Sequence, residues 1–221
     1  HLTSRRIRYA VEEAQKNSDN ASAASRRSTE RYDESIRIQR QIIYNKRNKL
    51  ISHPDFDLTY FLSTLSDAVD IYTSKTPFKE RADLFRFVLV NISYYCEDIP
   101  DDLDVTDLRQ VKKFLSDLFV SEYQQKKDKI KDSELFNQFQ RTVVLRAIDD
   151  CWVEQVDYLQ QFQGLVSSQG YAQKNPVFEF HKEAFKSYKR MNADINLNII
   201  KNMALSYINI KPSGKLEVFF G

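Results

Sequence analysis

The sequence predicts an all-α protein, and two observations support this fold class. The 221 residues include only 4 Gly and 5 Pro, and residues 1–53 contain neither. A chain so poor in turn-forming residues has little room for a many-stranded sheet. Apolar residues also recur at steps of three and four in several long segments, which is the spacing of a helix that buries one face. The chain is long enough to form a hydrophobic core of its own.

The composition argues against several classes of protein. The 33 Lys and Arg residues nearly balance the 31 Asp and Glu residues, and the net charge of +2 gives no general reason to expect a nucleic acid partner. No apolar run is long enough to span a bilayer, and we expect no signal peptide at His1. Cys96 and Cys151 fall inside predicted helices, where we expect free thiols in a reducing compartment and not a disulfide.

The first predicted element is one helix from Tyr9 to Ile51, about 60 Å long at the standard rise per residue. Pro54 ends it, because the residue before a proline is pushed out of the α region. The side chains on its stripe are small in the middle, so we expect neighbouring helices to pack there. A break, if there is one, is expected near Asn17–Asn20, where helix propensity is weak. The stripe comprises Ala10, Ala14, Asn17, Ala21, Ala24, Ser28, Tyr32, Ile36, Gln39, Ile43 and Leu50.

Residues 54–131 are predicted to form three or four shorter helices. One spans Asp57 to Thr73, a second runs from Pro77 to about Tyr95, and another begins at Thr106. The acidic turn at residues 97–104 lacks the alternating ligands of a calcium loop and is interpreted as a solvated turn.

Two groups of basic residues leave alternatives open. Arg5, Arg6 and Arg8 are interpreted as the solvated start of a helix, with a phosphate-binding arm as the alternative. The run from Lys126 to Lys131 is either a solvated helix face, which we favour because the run is short, or a contact for an anionic membrane surface.

The central prediction is a pair of long antiparallel helices joined by a polar tip. The first runs from Phe139 to Phe162, the turn spans Gly164 to Pro176, and Pro176 suits the first turn of the second helix. The apolar stripe of the first helix is Leu145, Ile148, Trp152, Leu159 and Phe162, with Gln155 at the same spacing.

Beyond Met191 an apolar segment as far as Ile208 predicts either a separate buried helix or an extension of the second one. Leu216–Phe220 is the only clear strand signal, so we expect this strand to pair with something outside the chain.

These segments resemble SecA, the ATP-driven motor of bacterial protein export. The resemblance rests on Leu145-Arg146-x-Ile148-Asp149-x-x-Trp152-x-x-x-x-Asp157-x-Leu159, on Gly170-Tyr171-Ala172-Gln173-Lys174-Asn175-Pro176, and on Tyr32-Asp33 with Gln39-Arg40 in the long helix. The run from Trp152 to Gln161 is most like the accessory, second SecA of Gram-positive bacteria. Gln169 stands where the family has Arg, and the tip is about three residues longer than usual.

The resemblance implies how the chain is divided. Residues 1–53 would be the long helix of the helical scaffold, 54–131 the helical wing, 132–211 the two-helix finger and the end of the scaffold, and 212–221 a C-terminal extended segment. It implies that the nucleotide-binding and preprotein-binding domains lie outside this chain, so that the chain is a fragment of a longer motor. A free-standing helical adaptor that binds partner helices is the alternative.

The resemblance also implies partners and a location. The finger tip would contact unfolded preprotein and the SecY-type channel, and the scaffold would contact the motor's nucleotide-binding domains. The complete motor would be cytoplasmic and peripheral on the inner face of the cell membrane, in contact with anionic lipid, with ATP and Mg as its cofactors. The tip residues are Ser167, Ser168, Gln169, Gly170, Tyr171, Gln173 and Lys174.

The residues themselves offer no active site. A phosphate-binding loop needs two Gly at a fixed spacing followed by Lys; Gly164 and Gly170 are one residue too far apart, and Tyr171 follows. His53 and His181 have no metal-ligand partner at helical spacing and are interpreted as surface residues. We therefore expect no catalytic, metal or cofactor site in this chain. Tyr171 would either contact the substrate or fold back over Phe162.

Overall fold

The structure is a computed structural model that describes residues 5–52, 56–168, 175–212 and 215–221, apart from the side chains of Arg6, Ala24, Ser25, Arg27, Ser28, Thr29 and Ser168. Within these ranges the chain forms six α-helices and two strands. The helices are α1 (Arg5–Ser52), α2 (Leu58–Lys75), α3 (Arg81–Asn91), α4 (Leu108–Ile130), α5 (Ser133–Ser168) and α6 (Pro176–Leu205); the strands are β1 (Tyr207–Ile210) and β2 (Leu216–Phe219). The predicted all-α class is confirmed.

The long helix α1 is continuous across its 48 residues, so no break occurs at Asn17–Asn20. The predicted stripe is correct in the second half of α1, where Tyr32, Ile36 and Gln39 are buried. The expectation that helices pack against the small residues in its middle is wrong for the described ones. The exposed small residues are Ala10, Ala14 and Ala21, and the side chain of Ala24 lies outside the described part. Small side chains permit close approach but supply little apolar area to bury.

The chain divides into two compact units, His1–Ile42 with Val156–Ser187, and Ile43–Gln155 with Tyr188–Gly221. We call them the hairpin unit and the wing unit.

In the wing unit, α2 packs on α4 through Phe61, whose ring centroid lies 6.3 Å from that of Phe119 and 5.9 Å from that of Tyr123. The N-cap Asp57 accepts a hydrogen bond from the backbone N–H of Tyr60. Phe61, Phe119 and Ile43 of α1 all belong to one buried cluster.

The helix α3 is shorter than predicted. Glu80 and Asp83 form a capping box, which fixes the first helical residue at Arg81 and not at Pro77. The helix ends at Asn91, so Cys96 lies in the following loop, and its prediction as a helical residue is wrong. Arg81 fastens this loop through hydrogen bonds to the carbonyl oxygen of Ile99 and to the carboxylate of Asp101.

The helix α5 extends beyond its predicted limits at both ends. α5 continues through Gly164 to Ser168, so placing Gly164 in the turn is wrong. A Cβ at this position would meet nothing within 4 Å, and the backbone there is ordinary helix, so the glycine does not end it. Pro176 is the first residue of α6, as predicted, and α6 is a single helix to Leu205, which decides between the two alternatives for this segment.

The C-terminal strand pairs within the chain, contrary to the prediction that it needs an outside partner. β1 and β2 form an antiparallel pair in which Tyr207 stands opposite Phe219 and Ile210 opposite Leu216. Ile208, predicted to be helical, lies in β1. The β1 residues alternate between exposed and covered side chains, so this segment is a half-buried strand joined to β2 by a turn at Pro212.

Candidate functional site

The candidate site is the pair of helices α5 and α6 within the hairpin unit, together with the part of α1 on which they rest. Phe180 of α6 lies at its centre and is fully buried. Its ring centroid lies 5.0 Å from that of Tyr32 on α1, edge to face, and 6.2 Å from that of Phe162 on α5, in a stacked arrangement. One side chain thus joins three helices.

Polar contacts set the register of these helices. The Gln39 amide donates a buried hydrogen bond of 2.8 Å to the carbonyl oxygen of Ala184. One turn earlier on each helix, the Ser35 hydroxyl and Nδ1 of His181 share a hydrogen bond of 2.5 Å. Since residue numbers rise together on both helices, α1 and α6 run in the same direction.

The hydroxyl of Tyr158 on α5 donates a hydrogen bond of 2.7 Å to the Glu183 carboxylate on α6. From this contact to the one between Phe162 and Phe180, residue numbers rise on α5 and fall on α6. The two helices are therefore antiparallel, as the sequence predicts. Buried apolar contact and directional hydrogen bonds act together, and the base of the hairpin is held at defined positions.

The predicted tip residues fall mostly outside the described part of the chain. Ser167 is exposed near the end of α5, and Ser168 is its last residue. Gln169, Gly170, Tyr171, Gln173 and Lys174 lie outside the described residues. On the return side, the Asn175 side chain accepts a hydrogen bond of 3.1 Å from the backbone N–H of Val177, which caps the start of α6.

A charged groove of about 600 Å³ lies beside the hairpin, between α1 and α5. Its walls include the carboxylates of Asp33 and Glu34 and the guanidinium of Arg37. The Glu34–Arg37 pair is exposed, and its hydrogen bond lowers the pKa of the Glu34 carboxyl. Charges of both signs at a solvated site supply no tuned acid or base.

The described residues offer little for chemistry elsewhere. They contain no group of three or more His, Cys, Asp and Glu placed to hold a metal ion. Burial raises the pKa of the Cys151 thiol to about 11, and the Asn198 amide donates a hydrogen bond of 3.2 Å to its sulfur. A thiol with so high a pKa is a poor nucleophile at neutral pH.

The lysines of the basic run at the end of α4 lie in different environments. Lys127 and Lys131 are exposed, whereas burial lowers the pKa of the Lys126 ammonium. The Lys129 ammonium lies over the Tyr207 ring, 4.6 Å from its centroid. Both sequence interpretations of this run remain predictions. Separately, none of the helices in the described ranges is long and apolar enough to cross a membrane.

Sequence reasoning missed the residues that fix the hairpin base. The sequence places Gln39 on the stripe of α1 and among the residues of the family resemblance, but it indicates no partner for it. His181 is predicted to be a surface residue, whereas it is half-buried and hydrogen-bonded to Ser35. A polar residue at a buried stripe position was the available signal, because buried amides require partners. Ser35 gives no such signal.

Comparison with known proteins gives a consistent result. A family model described as the SecA Wing and Scaffold domain matches residues 1–206. The chain is 37% identical over 219 residues to protein translocase subunit SecA 2 of Streptococcus sanguinis, covering 99% of this chain and 28% of that protein. It is 33% identical over 219 residues to protein translocase subunit SecA 2 of Streptococcus gordonii, with the same coverages of 99% and 28%.

A third relative, protein translocase subunit SecA 2 of Staphylococcus aureus (strain Newman), is 26% identical over 220 residues, covering 100% of this chain and 28% of that protein. The chain thus spans about 28% of the length of these curated relatives.

Proposed function

This chain belongs to the SecA wing and scaffold family, and on that premise we propose that it is the non-catalytic part of an ATP-driven motor that moves polypeptides across a membrane. The three relatives are named SecA 2, which confirms the predicted resemblance to the accessory, second SecA. The remaining length of such a motor would supply the nucleotide-binding domains, and ATP with Mg would act there.

The observation that supports this proposal most is the hairpin base. A segment that pushes on a polypeptide needs a stiff lever, since a flexible one absorbs the displacement. α5 and α6 are fastened to each other through Tyr158 and Glu183, and to α1 through Phe180 on Tyr32 and Ala184 on Gln39. Displacement of α1 would therefore be transmitted to the tip.

The tip residues named from the sequence, Ser167 to Lys174, would touch the translocating polypeptide and the mouth of a SecY-type channel. Tyr171 suits this role because its ring can press on any apolar side chain and its hydroxyl can bond any backbone. Such contacts read no sequence, as a motor for many preproteins requires. Residues 1–53 would be the scaffold helix, 54–131 the wing, 132–211 the finger and 212–221 the extended end.

The motor would work at the cytoplasmic face of the membrane, bound peripherally. The exposed Lys127 and Lys131 could meet anionic headgroups there, as could Lys129 beside Tyr207. Nucleic acid is not among the proposed partners, because the charge is balanced.

The experiment is Tyr171→Ala in the complete motor, assayed for translocation of an unfolded preprotein into membrane vesicles that contain the channel. We expect translocation to fall while the free energy of unfolding changes by no more than about 0.5 kcal/mol, as for a surface substitution. The matched control is Tyr95→Ala, since Tyr95 is a tyrosine with 86% of its surface exposed on the wing. Equal translocation by the two variants would count against the pushing role of the tip.

A further inference from the structure

The solvent-facing surface of α6 in the hairpin unit carries only aromatic and basic side chains. From Pro176 to Ser187 four residues are exposed, and these are Phe178, Lys182, Phe185 and Lys186. The two phenylalanines are 63% and 62% exposed. Apolar residues scattered singly over a surface need no explanation, whereas a pair that shares one helix face indicates a contact surface. We call these four residues the outer face of α6.

Helix geometry places the two rings on one side of α6. Phe178 and Phe185 are seven residues apart, which is nearly two full turns, so they project in almost the same direction and lie about 10 Å apart along the axis. Lys182 lies between them on the same face. The opposite side of α6 packs on α1 and α5 through Phe180, so the outer face is the convex side of the helix. Both rings can therefore enter one flat interface to a similar depth.

The exposed charges of the outer face are all positive. The acidic residues of the same stretch, Glu179 and Glu183, are half-buried, and the Glu183 carboxylate accepts a hydrogen bond from the hydroxyl of Tyr158 on α5. The Lys186 ammonium lies 3.9 Å from the Glu183 carboxylate, and its side chain remains 78% exposed. The outer face therefore presents two aromatic rings and two ammonium groups, and this combination is complementary to a surface that is apolar beneath and anionic on top.

We propose that the outer face of α6 binds an anionic membrane surface, with Phe178 and Phe185 in the headgroup region and Lys182 and Lys186 beside lipid phosphates. Apolar rings flanked by lysines are typical of helices that lie in a membrane interface. The inference rests on the proposed function in placing the chain beside a membrane. It adds an apolar contact on the hairpin unit, formed by residues other than the tip and the basic run of α4.

Other occupants fit this surface less well. A second copy of the chain would bring two outer faces together and set lysines against lysines, which repel each other. A single-stranded nucleic acid is bound in a positively charged groove that follows its backbone, whereas this face is convex and has two cations. An acidic protein would have to provide pockets for both rings, and the fluorescence measurement below distinguishes it from a membrane.

The test is co-sedimentation of the full 221-residue chain with vesicles that contain no channel. Vesicles of equal parts phosphatidylglycerol and phosphatidylcholine supply the anionic surface, and vesicles of phosphatidylcholine alone are the neutral reference. We expect binding to the anionic vesicles to be about ten-fold tighter or more, because lysines near the surface are attracted to anionic lipid. Equal binding to the two kinds of vesicle would overturn the proposal.

Two double variants separate the rings from the charges. The ring variant combines Phe178→Ala with Phe185→Ala, and the lysine variant combines Lys182→Ala with Lys186→Ala. Each should weaken binding to the anionic vesicles about ten-fold or more, through lost apolar burial in the first and lost attraction in the second. All four side chains are exposed, so both variants should keep the fold, and circular dichroism checks the helix content.

The matched control combines Tyr9→Ala with Lys16→Ala, which removes an exposed aromatic residue and an exposed lysine from α1. This control should bind the anionic vesicles like the unsubstituted chain. Two outcomes would overturn the proposal: a ring variant that binds as well as the unsubstituted chain, and a control that loses as much binding as the ring variant.

Fluorescence reports whether a ring enters the membrane. Phe178→Trp adds a second tryptophan to the single Trp152, and vesicles with brominated acyl chains should quench the added emission but not that of the unsubstituted chain. Absence of this quenching would overturn the proposal and favour an acidic protein as the occupant. Tyr171→Ala should leave vesicle binding intact, so a failure here is distinct from a failure of the tip in translocation.

Discussion

The ring of Tyr32 on α1 meets the ring of Phe180 on α6 edge to face, with 5.0 Å between their centroids. Both side chains are buried, and Phe180 also stacks on Phe162 of α5. Aromatic pairs in this geometry add stability beyond the area that they bury. This contact is therefore where we expect the attachment of the hairpin to the scaffold helix to be most sensitive to substitution.

The first prediction compares two positions on α1. Tyr32→Ala should lower the free energy of unfolding of the hairpin unit by about 3 kcal/mol, because it leaves a cavity beside Phe180. Ala21→Leu should change it by less than about 0.5 kcal/mol, because Ala21 is exposed. Urea denaturation with hydrogen exchange read in α5 and α6 measures both. A large loss of unfolding free energy in Ala21→Leu would indicate that a helix packs against Ala21, as the sequence predicts.

The second prediction concerns the buried amide of Gln39. Gln39→Leu removes a side-chain donor from the carbonyl oxygen of Ala184, which still accepts from the Ser187 hydroxyl, and should cost about 0.5–1.5 kcal/mol of unfolding free energy. Gln138→Leu is the control, since Gln138 is an exposed helical glutamine. If the two variants are equally stable, the hydrogen bond from Gln39 does not hold α6 in register.

Much of the fold could be predicted because helical spacing is a local property. The end of α1, the entry of α6 at Pro176 and the antiparallel arrangement of α5 and α6 all follow from nearby residues. Two errors have physical causes. The prediction that α5 ends before Gly164 is wrong, because one glycine costs only about 1 kcal/mol in a helix whose apolar stripe continues. The sequence pattern does not separate the half-buried strand at Ile208 from the apolar run before it. The pairing of β1 with β2 could therefore not be predicted.

The candidate site could be predicted only at the level of elements. Sequence spacing indicated that α5 and α6 lie side by side, and the structure agrees. It gave no means of finding that Ser35 meets His181 or that Gln39 meets Ala184, because these pairs are separated by about 145 residues along the chain. Such contacts depend on tertiary packing, which one unaligned sequence does not report. The roles assigned to Tyr171 and its neighbours stay predictions.

The third prediction concerns the two thiols. Cys96 is half-buried in a loop and Cys151 is 3% exposed, so a thiol reagent at pH 8 should label Cys96 first and Cys151 only on unfolding. Time-resolved mass spectrometry with Cys96→Ser as control measures this order. Rapid labelling of Cys151 in the folded chain would show that its surroundings open readily.

The fourth prediction follows from the pKa of the Cys151 thiol, which burial raises from 9.0 to about 11. Since the folded-state pKa is the higher one, folding favours the protonated thiol. The resulting stability is fully present below pH 9 and is lost as the pH rises through about 11. It amounts to about 3 kcal/mol. Cys151→Ala should therefore show a smaller loss of unfolding free energy than the unsubstituted chain over this range, measured by urea denaturation; identical slopes would contradict the shift.

The fifth prediction is that this chain alone binds no ATP, because its sequence has no phosphate-binding loop. Isothermal titration with Mg and ATP should give no heat of binding for the chain, with the complete motor as the positive control. Saturable binding to the chain would require a nucleotide site that the motifs do not predict.

The most direct measurement of the central claim is site-specific photocrosslinking from the tip. A photoreactive amino acid replaces Tyr171 in the complete motor, and a matched one replaces the exposed Tyr95 on the wing. A preprotein is then arrested during translocation by a folded C-terminal domain. The account predicts a crosslink to the polypeptide from position 171 that depends on ATP and on the channel, and none from position 95. Crosslinks from position 95 alone, or none from position 171 during active translocation, would contradict it.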